Sequence, residues 1–138
     1  MNISILILSM GLLSSFSSSS TTLLDVKAVV GKNQIAVAKV IGSPTSCAKS
    51  KYGNKCFYSK GDTEIVFING KADWITVEGL DHIPFDEMAM ESIGLPPIRP
   101  SFKNSYTIRW NGVAGLTEVS IHKGQKNTDY AYIKAFTK

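Results

Sequence analysis

Histidine and cysteine are scarce in this sequence, two of each, and that scarcity narrows the chemistry open to it. The histidines, His82 and His122, stand far apart with no spacing that suggests shared metal ligation. No G-x-S-x-G, H-E-x-x-H, P-loop or G-x-G-x-x-G occurs. The sequence therefore predicts a protein that is not an enzyme and needs no cofactor or metal. No apolar run of 18 residues or more follows position 24, so no membrane-spanning helix is expected beyond that point. The net charge of +4, without an aromatic-basic motif, does not predict nucleic-acid binding. What remains is 138 residues, 43% hydrophobic and 19% charged, the balance of one globular domain and not of a large multidomain enzyme.

Charge is also missing from the start of the chain. Met1 to Leu24 holds no ionisable side chain, and Asp25 is the first. Ile3, Ile5 to Leu8 and Met10 to Leu13 make an apolar core, followed by a Ser/Thr run from Ser14 to Thr22. This is the layout of a secretory signal peptide, assigned to residues 1–24. It departs from the usual pattern in having no Lys or Arg before the apolar core and no A-x-A cleavage site. No nearby Cys offers a lipobox. An uncleaved hydrophobic tail or a misassigned start is the alternative reading. Export to the periplasm or outside the cell is the expectation adopted, with residues 25–138 as the folded domain.

Cys47 and Cys56 bracket a stretch with Tyr52-Gly53-Asn54 as a turn near its middle. If Thr45 to Ser50 pairs with Lys55 to Ser59, the two thiols face each other across a hairpin. A structural disulfide, which persists in oxidising compartments, is one outcome, and two buried free thiols are the other. A redox dithiol would show C-x-x-C, which is absent.

Hydrophobic periodicity predicts a short helix over Gly31 to Ile41, with Val37, Val40 and Ile41 on one face and Gly42 as a left-handed cap before Pro44. Strands are expected at Cys56 to Ser59, Thr63 to Ile68 and Ala72 to Val77. Asn69-Gly70 joins the last two as a hairpin turn. The pattern then recurs. A second helix is expected over Pro84 to Ile93, with Phe85, Met88, Ala89 and Ile93 on one face and Gly94 as its cap. Ile41-Gly42-Ser43-Pro44 is echoed by Ile93-Gly94-Leu95-Pro96. Tyr106, Ile108 and Trp110 alternate with Thr107 and Arg109, and Thr117, Val119 and Ile121 alternate with Glu118, Ser120 and His122. Asp129 to Phe136 closes the chain as a further strand. The expected class is α+β: an antiparallel sheet with two short helices on one face, arranged as a tandem repeat of units 30–80 and 81–138.

Candidate binding residues lie on the strands and the first hairpin. In the last strand Tyr130, Tyr132, Lys134 and Phe136 share one face and Ala131, Ile133 and Ala135 the other. If the helices cover the Ala/Ile side, the aromatic side is open and has the composition of an interaction surface. If they cover the aromatic side, it is core. Arg109 and His122 join the same candidate surface, His122 on a solvated polar side of its strand beside Glu118 and Ser120. Trp74 and Trp110 are read as core anchors. Lys49, Lys51, Lys55 and Lys60 form a basic patch, read either as protection of an edge hairpin or as contact with anionic lipid headgroups or an acidic protein surface. Asp81-His82 and Asp86-Glu87 are read as an exposed loop and an acidic helix start, not as metal ligands.

The first unit resembles the SmpA/OmlA family of small outer-membrane lipoproteins. Gly31, Val37, Ile41, Gly42, Pro44, Phe57, Tyr58, Phe67, Asn69, Gly70 and Ile75 carry the likeness, which spans Val30 to Val77 and is echoed more loosely from Pro84 onward. That family shares a helix-plus-sheet fold with the β-lactamase inhibitory proteins, which carry it as a tandem pair and have disulfides in their repeats. The family's lipidated Cys after the signal is missing here, and the second half favours the inhibitor-like tandem arrangement. The resemblance implies a binding module of the bacterial cell envelope, an assembly accessory or an enzyme inhibitor that docks onto an envelope protein. A periplasmic protein that binds a small ligand or lipid is the rival reading.

Overall fold

The computed structural model of the chain describes residues 22–138 and Gly11. The expected signal peptide, apart from Gly11 and its last three residues, lies outside the described residues. Helix α1 (Gln34–Ile41) begins where the Asn33 side chain accepts a bond from Ala36 N, a side-chain N-cap. Four strands follow: β1 (Ser46–Lys49), β2 (Asn54–Tyr58), β3 (Thr63–Ile68) and β4 (Lys71–Val77). A 3-10 helix (Glu87–Ile93) opens the second half, and then come β5 (Phe102–Lys103), β6 (Thr107–Asn111), β7 (Glu118–Lys123) and β8 (Thr128–Lys134). All eight form one antiparallel sheet in the order β1-β2-β3-β4-β8-β7-β6-β5. The fold is α+β, as expected. Each half contributes a helical segment and a four-stranded meander, and the halves join where β4 pairs with β8.

Asn69-Gly70 makes the expected hairpin turn. Both residues have positive φ, 52° and 75°, and Ile68 pairs with Lys71 across it. Positive φ at both central positions matches the right-handed twist of the flanking strands. The first cysteine hairpin also forms. Cys47 pairs directly with Cys56, and the two are joined as a disulfide with Cα atoms 4.1 Å apart. The alternative of free thiols is thereby excluded.

One face of the sheet holds the core. Ile65, Ile75, Val77, Ile108, Trp110, Val119, Ile121, Ala131 and Ile133 are buried together with Val37 and Ile41 of α1 and with Ala89, Met90 and Ile93 of the 3-10 helix. Fully burying an isoleucine of this kind is worth roughly 1.5–3 kcal/mol. The chain enters this core early. Leu24 is completely buried, and the backbone N–H groups of Leu23 and Leu24 both donate to Ser92 O, at 2.8 and 3.2 Å.

Several local expectations need correction. α1 starts at Gln34, not Gly31, and Val40 is 44% exposed, because a two-turn helix buries only a narrow stripe. Gly42 has positive φ but an extended ψ of 168°, so it is not a left-handed helical cap, whereas Gly94 is one. The second helix is 3-10 and begins at Glu87, after Asp86 caps it by accepting from Met88 N. With three residues per turn, Met90 stacks over Ile93 and Ala89 over Ser92, all buried, while Met88 is turned outward. Tyr106 precedes β6 and is 72% exposed. Trp110 is a core anchor, its indole N–H donating to Ile98 O at 2.9 Å. Trp74 is not. It is half-buried on the opposite face.

Candidate functional site

The face turned away from the helices is the candidate site. Ala131, Ile133 and Ala135 are buried in the core, which places Tyr130, Tyr132 and Lys134 on the open side. Pairing registers then line up rows of side chains across the sheet. One row runs Phe102, Arg109, Ser120, Tyr132, Thr76, Glu64, Phe57. A second runs Asn111, Glu118, Lys134, Trp74, Val66, Lys55. A third, shorter row is Thr107, His122, Tyr130. Directly opposed cross-strand neighbours interact, and here they do so in defined pairs.

His122 and Tyr130 stack with ring centroids 4.4 Å apart and planes 15° from parallel. Ser120 Oγ lies 2.9 Å from His122 Nε2 and Thr107 Oγ1 3.5 Å from Nδ1. His122 thus lies on the expected open face but is half-buried there by its neighbours and not fully solvated. Burial pushes its pKa below the usual histidine value and Arg109 pushes it further, against weaker opposition from Asp129 and Glu118. Burial, with the charges of Glu118 and Asp73, raises the Tyr132 phenol. Arg109 lies over the Phe102 ring, 5.3 Å from its centroid, and its Nε is 3.7 Å from Glu118 Oε1.

The other end of the face carries a groove of about 320 Å³ lined by Ser50, Lys51, Tyr52, Lys55, Glu64, Val66, Trp74, Thr76 and Tyr132. Tyr52 comes from the β1–β2 turn and reaches over β3 to Trp74, with rings 4.7 Å apart and tilted by 58°. Gly53 makes that reach possible. Its φ is +154°, and a Cβ there would lie 2.0 Å from Phe67 O, so only glycine lets the turn fold down on β3. The Trp74 indole N–H donates to Thr137 Oγ1 at 2.6 Å, which fixes the ring. Beneath it a β-bulge between β3 and β4 leaves Asp73 4% exposed. Its Oδ1 accepts from the backbone N–H of Ala135, Phe136 and Thr137, at 3.2, 3.1 and 3.4 Å. Asp73 therefore pins the chain end beside the site.

The sequence candidates divide. Arg109, His122, Tyr130, Tyr132 and Lys134 come together on the open face. Phe136 does not join them: it lies beyond the end of β8 against Gly31. Lys51 and Lys55 meet at the groove at the turn end of the first hairpin, whereas Lys49 is paired with Asn54 and so faces the other side of the sheet from Lys55, and Lys60 is at the opposite end of β2 in the 3-10 segment Lys60–Asp62. Lys55 pairs with Glu64 at 3.6 Å. Trp74 and Tyr52 were missed as site residues. The only signal available was the odd-even phase of Trp74 against Ile75, and both are apolar.

A serine hydroxyl 2.9 Å from a histidine has the geometry of a nucleophile and its base. Here Ser120 is 3% exposed, and the far nitrogen of His122 faces a threonine, so the pair reads as packing and hydrogen bonding. Asp81, His82, Asp86 and Glu87 are spent separately: His82 is exposed 3.7 Å from Asp81, Asp86 caps the 3-10 helix, and Glu87 binds Lys103 Nζ at 2.9 Å. Among the described residues no three metal-ligating side chains gather, and no helix is long and apolar enough to cross a membrane.

The chain matches no protein-family model, no curated protein and no solved structure.

Proposed function

We propose that this chain is a non-enzymatic protein-binding module of the bacterial cell envelope that docks partners on the open face of its sheet. The observation that carries the reading is the face itself. Helices cover one side of an eight-stranded sheet, while the other presents Tyr52, Trp74, Tyr130, Tyr132, His122 and Arg109. Tyr, Trp and Arg are the residues that dominate binding energy at protein interfaces, and aromatic rings held by stacking lose little entropy when a partner arrives.

Export to the periplasm or the cell exterior is part of the proposal. The Cys47–Cys56 disulfide fits an oxidising compartment. The resemblance to SmpA/OmlA-type lipoproteins and to tandem inhibitors points the same way, and the matching strand layout of the two halves supports a duplicated unit. Binding of a small ligand or lipid would call for an enclosed apolar pocket, whereas the groove beside Trp74 is only partly enclosed and has two lysines and a glutamate among its walls.

Affinity capture from envelope extracts tests the reading, with the full chain compared with its Tyr130→Ala/Tyr132→Ala variant. A protein retained by the intact face and lost by the variant is expected. Equal retention by both, or none by either, would remove the face from the function.

A further inference from the structure

The groove beside Trp74 has a chemistry that the rest of the face lacks. Three aromatic residues, Tyr52, Trp74 and Tyr132, line it together with Lys51 and Lys55. Lys51 lies over the Tyr52 ring, 5.5 Å from its centroid, and makes no ion pair among the described residues. Lys55 has Glu64 alone, half-exposed at 3.6 Å. Along the open face, Lys51, Lys55, Arg109 and Lys134 stand beside Glu64 and Glu118, and the charge of Asp73 also reaches Tyr132. Its walls carry two lysines against one glutamate, a surplus of one positive charge, beside aromatic and aliphatic surface, and its volume of about 320 Å³ admits one long side chain with part of its neighbour.

We propose that this groove takes an acidic side chain, Glu or Asp, presented by a loop of a partner protein. The carboxylate lies between Lys51 and Lys55, and apolar residues beside it rest on Tyr52, Trp74 and Tyr132. The inference deepens the protein-binding reading above and rests on it. Charge complementarity chooses the sign of the occupant. Partial enclosure chooses its size: a free small acid would stay partly solvated and gain too little to offset its immobilisation, whereas a loop brings contacts with the surrounding face.

Short labelled peptides with a single Glu, Gln or Lys between leucine and phenylalanine, together with free glutarate, are the probes. Fluorescence polarisation with the full oxidised chain measures their binding. The Glu peptide should bind about tenfold more tightly than its Gln counterpart, the size of effect a charge-assisted hydrogen bond gives, and the Lys peptide more weakly still. The preference should shrink as salt is raised, vanish in Lys51→Ala/Lys55→Ala and return in Lys51→Arg/Lys55→Arg. Equal binding of Glu and Gln peptides overturns the proposal, and so does glutarate binding as tightly as the peptide. Those results leave the docking face intact if the Tyr130→Ala/Tyr132→Ala variant still loses its captured partner, so the two readings fail separately.

Discussion

His122 on β7 and Tyr130 on β8 are direct cross-strand partners whose rings stack at 4.4 Å. The stack shields an imidazole that Arg109 also disfavours in its charged form, and the pKa falls. A histidine with a lowered folded pKa binds its proton more readily when unfolded. Its contribution to stability is full above the unfolded value, about 6.5, and is lost as pH falls through the folded one. Urea denaturation at pH 7.5 and at pH 5 should therefore show a steeper loss of stability in the natural protein than in His122→Gln. Parallel losses would mean that the imidazole titrates as freely folded as unfolded.

Leu24 is fully buried and Leu23 and Leu24 are tied to Ser92 O. Replacing Leu24 by Ala should cost about 2–5 kcal/mol, the range for leucine truncation in a packed core. The same packing bears on export. If the leader is removed, cleavage should leave Leu23 and Leu24 on the mature chain, which mass spectrometry of the exported protein reads directly. A mature chain starting at Asp25 with unchanged stability would contradict both statements.

Cys47 and Cys56 close a loop nine residues apart in sequence. Replacing both with Ser should lower stability by about 2–3 kcal/mol, from the loop entropy released to the unfolded chain. The measurement is the urea midpoint of the double variant beside that of the oxidised protein. An unchanged midpoint would show that the hairpin is held by its strand pairing alone.

Tyr58 is 2% exposed and its hydroxyl has no hydrogen-bond partner among the described residues. Burial raises the phenol's pKa. Deleting a buried, unsatisfied hydroxyl removes a desolvation penalty, so Tyr58→Phe should leave stability unchanged or raise it by up to about 1 kcal/mol. A loss of more than that in thermal unfolding would reveal a partner for the hydroxyl.

Local chemistry determined much of this protein in advance. Asn69-Gly70 tolerates positive φ at both positions, so the β3–β4 hairpin is readable without any tertiary context. Strand β3, Thr63–Ile68, and the facing cysteines follow from short-range pattern in the same way. The second helical segment was readable in place and in its Gly94 cap but not in type, because its burial of Ala89, Met90, Ser92 and Ile93 answers to the sheet below it and not to the 3.6-residue period. The open face was beyond the sequence altogether. Both sides of β8 are apolar, so alternation separates Tyr130 and Tyr132 from Ala131 and Ile133 without saying which side meets water. Register decided it: β8 lies between β4 and β7, and Ile133 is drawn into line with Ile75 and Val119, under the helices, where small and branched side chains let the layers approach. The larger rings were left outside, with Trp74 beside them and Tyr52 folded over from a turn two strands away.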